Sequence, residues 1–163
     1  MTSVETPNQK ILTFLTFSEG AEAAVNLYVS LFPDSEVIRI TRMGPGGHLP
    51  EGVAMSISFT LAGQPFVAIN GGPHFAFSEG ISLLINCSTQ QEVDHYWEKL
   101  SEGGIQQPCG WLRDKFGVSW QVVPSILGKM MQDEDHEKAG RVMQAMFQMT
   151  KMDVEALEKA FQG

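Results

Sequence analysis

Apolar residues at the start of the chain switch between two periods. Ile11 to Phe17 (ILTFLTF) is a short run rich in β-branched and aromatic residues. Ser18 with Glu22 marks a polar break and a helix start, so strand and then helix are predicted. From Ala21 to Phe32 the apolar positions Ala24, Leu27, Tyr28 and Leu31 recur at helical spacing, and Pro33-Asp34 stops the pattern. Val37 to Met43 alternates Val and Ile with Arg39 and Thr41, and the turn-rich Gly44 to Pro50 (GPGGHLP) ends that strand. Val53 to Leu61 alternates again, Ala62-Gly63-Gln64-Pro65 reads as a tight turn, and Phe66 to Asn70 returns as an apolar strand, which predicts a hairpin.

The same order then recurs. Ile81 to Cys87 reads as a strand and Thr89 to Leu100 as a helix ended by Gly103-Gly104, a position suited to positive φ. A second hairpin is expected through Gly110 to Arg113, turning at Asp114 to Gly117 and returning along Val118 to Val123, with Pro124 as its end. Phe17 lies 70 positions before Cys87, while Ala24, Tyr28 and Leu31 lie 69 before Val93, Trp97 and Leu100. Matching order and matching register together predict a duplicated unit. After Pro124 the chain turns polar, charged and methionine-rich. Asp133 to Lys138 (DEDHEK) reads as a solvated helix start, with Val142, Met146 and Met149 following at helical spacing. Thr150 and Asp153 form a T-x-x-D pattern expected to cap a last helix, Val154 to Phe161, with Leu157 and Phe161 on one face.

Composition narrows what such a chain does. Its 163 residues, 43% of them hydrophobic, allow one well-buried core and imply one domain. Nineteen acidic against 11 basic residues give a net charge of -8, which repels phosphate backbones and anionic lipid, so neither nucleic acid nor membrane is an expected partner. Two cysteines, Cys87 and Cys109, are too few for a disulfide framework or a four-thiolate zinc site, and a cytoplasmic address is expected. Met1 to Gln9 lacks the basic and then apolar pattern of a signal peptide.

Two βαβββ units that each curl into a half-barrel resemble the vicinal oxygen chelate superfamily of glyoxalases, extradiol dioxygenases and bleomycin-resistance proteins. The segments FSEGAEAAVNLYVSLFPDSEV, GQPFVAINGGPHF, SLLINCSTQQEVDHYWEKL and CGWLRDKFGVSWQVVP look like the PhnB-like subgroup, and VMQAMFQMTKMDVEALEKAF resembles its C-terminal tail. The resemblance implies an α+β glyoxalase-like domain over residues 10–124, with halves 10–72 and 79–124. A C-terminal helical arm, 125–163, would pack on that domain or on a second subunit. Members of the subgroup often carry the name 3-demethylubiquinone 3-methyltransferase. The sequence has no strand followed by a glycine-rich turn and an acid on the next strand, as a Rossmann-type methyl-donor site needs.

In metal-dependent relatives each half supplies a histidine or glutamine from its first strand and a glutamate from its last. The resemblance puts Leu12 and Ser82 at the first-strand positions. Counting from Gly117 puts Gln121 at the second-half glutamate position, and aligning Gly63 with Gly117 puts Val67 opposite it, with Asn70 the alternative if that hairpin slips. None of these side chains is a carboxylate or an imidazole, so no catalytic metal and no other cofactor is expected. The four histidines, His48, His74, His95 and His136, lack ligand-pair spacing. His74, in the loop NGGPHFAF between the halves, is a candidate acid or base, and Cys109, ahead of Gly110-Trp111, a candidate nucleophile. Trp111, Trp120, Phe75 and Phe77 are candidates to line an apolar pocket. Strand alternation puts Ser119 and Gln121 on one face, which favours Gln121 for the pocket and Trp120 for the core.

The leading expectation is a metal-independent small-molecule binding protein with a cavity around Asn70, Ser82 and Gln121, and with Trp111 and Phe75 as further ligand contacts. The competing expectations are a metal-free enzyme working through His74 or Cys109, and an interaction protein whose acidic, methionine-rich tail docks a partner. Met143, Met146, Met149 and Met152 with Phe147 supply more apolar surface than a solvated helix carries, which predicts packing on the barrel or in a homodimer.

Overall fold

The structure, a computed structural model, describes residues 9–163. The signal-peptide reading of Met1 to Gln9 falls, but for Gln9, outside the described residues. Five helices and eight strands follow one another as β1 (Thr13–Phe17), α1 (Ala21–Leu31), β2 (Glu36–Arg42), β3 (Ala54–Leu61), β4 (Gln64–Asn70), β5 (Leu83–Cys87), α2 (Gln90–Ser101), β6 (Ile105–Gln106), β7 (Trp111–Arg113), β8 (Ser119–Pro124), α3 (Ser125–Met131), α4 (His136–Phe147) and α5 (Val154–Gln162). The chain divides into two compact units, one ending at Phe77 and the other running Ser78–Gly163, so each half carries a core of its own. None of the described helices is long and apolar enough to cross a membrane.

The two sheets have the same topology, β1-β4-β3-β2 and β5-β8-β7-β6. In each, the strand before the helix pairs in parallel with the last strand, and the remaining contacts are antiparallel. This is the α+β, twice βαβββ arrangement with C-terminal helices that the sequence predicts. The hairpin turn of the first unit is tighter than the sequence suggests. Leu61 pairs with Gln64, leaving only Ala62 and Gly63, at φ 48° and 75°, as the turn. Both positive φ values are what a two-residue hairpin of this twist demands. The two-residue strand β6 and the short helix α3 carry too few residues to show a period in the sequence.

Period two sorts each sheet into two faces. In the first unit Leu15, Phe17, Ile57, Phe59, Phe66 and Ala68 are buried beside Ala24, Val25 and Tyr28 of α1. In the second, Ile85, Cys87, Leu112, Trp120 and Val122 are buried beside Val93, Trp97 and Leu100 of α2, so Trp120 is a core residue, as alternation predicts. Burial of this kind stabilises by roughly 1.5–3 kcal/mol for each large apolar side chain.

The helix starts differ in their chemistry. Thr89 caps α2 by accepting from Glu92 N, Asp135 caps α4 by accepting from Glu137 N and Lys138 N, and Asp153 caps α5 by accepting from Ala156 N. Asp153 therefore closes the last helix directly, where the T-x-x-D pattern suggested Thr150. Gly20, left-handed at φ 77°, precedes α1 and has no side chain to offer. The N–H of Ala21 is taken instead by Asn70 Oδ1 at 2.9 Å.

Residues 125–163 cluster with residues 78–124. Cys109 N and Gly110 N donate to Met149 O and Thr150 O at 2.9 and 2.8 Å, and Met152, 1% exposed, is buried against this turn. Gly110 must be glycine here. Its φ is 77°, and a Cβ would stand 2.7 Å from Val122 O.

Candidate functional site

The face of the second sheet away from α2 gathers most of the polar candidates. Leu84 pairs with Gln121, Trp111 with Gln121, and Arg113 with Ser119, so these side chains share one face, opposite to buried Ile85, Leu112, Trp120 and Val122. Gln121 Nε2 donates to Ser82 Oγ at 2.9 Å, which brings the two predicted positions tip to tip. Ser82 O–H and the remaining groups of the carboxamide are left for a ligand, so the pair offers both donors and acceptors. Trp111 stands beside this pair, partly exposed, and Leu84 is 49% exposed.

The ladders settle the register of the first unit. Phe14 pairs with Val67 as Leu84 pairs with Gln121, and Phe17 pairs with Asn70 as Cys87 pairs with Pro124. Val67 is thus the equivalent of Gln121, and Leu12 stands where Ser82 does, one residue ahead of its strand. The slipped alternative, with Asn70 at that position, does not occur.

Asn70 also leaves the set of ligand groups. It is 7% exposed, and both ends of its carboxamide are taken: Oδ1 by Ala21 N at 2.9 Å, while Nδ2 donates to Ala54 O at 2.8 Å. It joins α1, β3 and β4 because Gly20 cannot cap the helix. A glycine ahead of a helix, with no Ser, Thr, Asp or Asn at the cap, was the one sequence signal that a distant side chain would be needed there.

The remaining candidates stand apart from one another. Phe75, 49% exposed, lies in the first unit with its ring against the backbone of Gly71 and near Thr16, and Phe77 makes an edge contact of 4.9 Å with Phe17. His74 is exposed on the same segment and makes no hydrogen bond among the described residues. Cys109 belongs to the turn that receives the arm, at φ 61°, with Sγ 3.7 Å from Met146 O. No histidine or lysine among the described residues is bonded to it. Cys87 is inert: burial first, and the Glu92 charge second, push its thiol up to about 12.

Two residues outside the predicted set organise the same unit. Asp114, 3% exposed, accepts from Phe116 N, Val118 N and Trp120 Nε1 at 2.9, 3.0 and 2.8 Å, which fixes the β7–β8 turn. Gln90 holds the arm at Met152 and Val154. A cleft of about 530 Å³ lies there, lined by Gln90, Asp94, Lys151, Asp153 and Glu158 among others. Its one lysine is paired with one of its acids. Lys151 Nζ lies 2.6 Å from Asp94 Oδ1, and that bond, with one from Gln90, holds the Asp94 carboxyl below its usual range.

The donors at the metal positions of the resembled superfamily do not fit a divalent ion. Leucine and valine offer no ligand atom, and a serine and a glutamine bonded to each other offer no charge. No three His, Cys, Asp or Glu side chains converge on a metal geometry among the described residues.

Residues 9–123 match the model of a family described as 3-demethylubiquinone-9 3-methyltransferase. Among solved structures the chain is similar to a PhnB protein from Bacillus cereus, at 39% identity and a TM-score of 0.68, over 71% of this chain and 99% of that one. Protein PA1353 from Pseudomonas aeruginosa shares the fold at 20% identity and a TM-score of 0.61, covering 71% of this chain and 96% of its own. So does the fosfomycin resistance protein FosX from Mesorhizobium loti, at 11% identity and a TM-score of 0.55, covering 77% and 98%. No curated protein matches the chain.

Proposed function

The chain belongs to the PhnB-like family of the vicinal oxygen chelate superfamily, and we propose that it is a metal-independent binding protein for a small molecule, held on the face of its second sheet away from α2. The observation that carries this reading is the Gln121–Ser82 hydrogen bond. It joins, tip to tip, two neutral side chains at the positions where metal-dependent members of the superfamily place their ligands. A neutral donor-acceptor pair flanked by Trp111 and Leu84 matches the usual make-up of a ligand site, apolar with a few fixed polar groups. The methyltransferase description of the family is not carried over, because the described residues build no methyl-donor site of the Rossmann type. An enzymatic reading through His74 or Cys109 has little support: the first is exposed, and the second serves the turn that receives the arm.

A homodimer belongs to the same proposal. Met143 and Phe147, four residues apart on α4, are 39% and 58% exposed, an apolar pair that the arm's own packing leaves uncovered. Two unpaired thiols, Cys87 and Cys109, favour a cytoplasmic address.

Native mass spectrometry with metal analysis of the full-length protein tests the reading. The expected result is a dimer carrying or accepting a small organic molecule with no stoichiometric metal, and Gln121→Leu with Ser82→Ala removes the binding. A stoichiometric divalent metal lost in that double variant overturns it.

A further inference from the structure

Three of the four arginines are accounted for by their surroundings. Arg42 meets Glu22 in a two-pronged pair at 2.8 and 3.0 Å, Arg141 donates to Ala160 O and Phe161 O at 2.9 and 3.0 Å, and Arg39 is exposed to water. Arg113 differs. It is partly buried, and its guanidinium makes no hydrogen bond or ion pair among the described residues. The carboxylate next to it in sequence, Asp114, points to the other side of the strand and accepts from Trp120 Nε1 and two backbone N–H groups.

Directly opposite Arg113 in the β7–β8 ladder stands Ser119, which is 2% exposed. Its Oγ is buried and has no hydrogen-bond partner among the described residues. Native proteins rarely leave such a group unpaired. Ser119 and Arg113 share the face of Gln121, two residues further along β8. One face therefore holds a guanidinium without a counter-charge, a hydroxyl without a partner, and the Ser82–Gln121 pair, in a chain of net charge -8. A planar guanidinium with five donors is matched to the paired oxygens of an oxyacid.

We infer that Arg113 and Ser119 form an anion-recognising subsite beside Ser82 and Gln121, so that the ligand is a small organic acid, a carboxylate or a phosphonate. The inference rests on the binding face proposed above. Arg113 takes the oxyanion, and Ser119, opposite it in the ladder, donates one further hydrogen bond to it as the Arg113 side chain turns onto the ligand. The Ser82–Gln121 pair meets a neutral polar group, and Trp111 supplies an apolar wall.

The test uses full-length, ¹⁵N-labelled protein titrated with benzoate, phenylphosphonate and neutral benzamide. Both anions are expected to shift the backbone resonances of Arg113, Ser119 and Gln121 and to saturate at lower concentration than benzamide. Arg113→Gln is expected to weaken the anions by about tenfold or more and to leave benzamide unchanged. Arg113→Lys, which keeps the charge and serves as the folding control, retains part of the preference. Preference for benzoate over phenylphosphonate, or the reverse, names the acid class. Equal affinity for benzoate and benzamide, or anion affinity unchanged in Arg113→Gln, overturns the subsite. If Gln121→Leu abolishes benzamide binding in that case, the binding face stands without it. If Gln121→Leu leaves every probe unaffected while Arg113→Gln weakens the anions, the anion subsite stands and the wider binding face falls.

Discussion

Gln90 Oε1 accepts the backbone N–H of Val154 at 2.8 Å, a bond that ties the first turn of α2 to the first turn of α5 across 64 positions of sequence. The other end of the same carboxamide donates to Met152 O at 3.1 Å and to Asp94 Oδ1 at 3.0 Å. One side chain thus brackets the arm on both sides of Asp153. Gln90→Leu removes two bonds to backbone and is expected to lower stability by about 1–3 kcal/mol. Hydrogen exchange checks the mechanism: amides of α5 are expected to exchange faster, while those of β3 and β4 in the first unit stay unchanged. Uniform acceleration would mean that the arm is not the part released.

Asn70 is expected to behave as a structural residue. Asn70→Ala leaves Ala21 N and Ala54 O without their partner in a buried setting, at a cost of roughly 2–4 kcal/mol. Chemical denaturation measures the loss. Asn70→Asp keeps the acceptor for Ala21 N but sets a carboxylate against Ala54 O, so it is expected to rescue little. Ligand affinity in the folded fraction is expected to match the wild type.

The buried thiol of Cys87 gives stability a dependence on alkaline pH. Its folded-state value, pushed up to about 12, exceeds the ordinary thiol value of 9.0. Above pH 9 the unfolded chain releases this proton while the folded chain keeps it, so the contribution is complete below pH 9 and is lost as pH rises from 9 to 12. Denaturation midpoints of the wild type are expected to fall across that window more steeply than those of Cys87→Ala, which starts lower but carries no such proton. In the native protein, iodoacetamide at pH 8 is expected to spare Cys87. Rapid double alkylation without unfolding would contradict its burial.

The meeting of Ser82 and Gln121 side chains invites the reverse experiment. Ser82→His with Gln121→Glu places an imidazole and a carboxylate where the present tips lie 2.9 Å apart. The double variant is expected to bind Ni²⁺ at least about tenfold more tightly than the wild type by calorimetry, since nitrogen and charged oxygen replace two neutral groups. Equal affinities would mean that the backbone there does not present the pair to an ion.

Much of the fold was legible in the sequence, because the signals are local. Alternation in Val53–Leu61, helical spacing in Val93, Trp97 and Leu100, and Gly63 and Gly117 at their turns each depend only on neighbours along the chain. The recurrence of Phe17 at Cys87 and of Tyr28 at Trp97 announced the duplication, and the ladders reproduce that register. The chemistry of the candidate positions was legible too, since leucine, valine, serine and glutamine stay poor metal ligands wherever they point.

The partners of polar side chains were decided only in three dimensions. Asn70 looked like a ligand group at the end of a strand until the fold set it against the bare N-terminus of α1, and Gln90 gave no sign of holding a segment 62 to 64 positions away. The same holds for Arg113, whose want of a carboxylate became visible only when Asp114 was seen turned to the opposite side of β7 and committed to Trp120. Hydrophobic periodicity selects elements and faces through interactions that are short in sequence and indifferent to direction. A hydrogen bond or ion pair needs one atom within about 3 Å of another, and only the packed chain brings such atoms together.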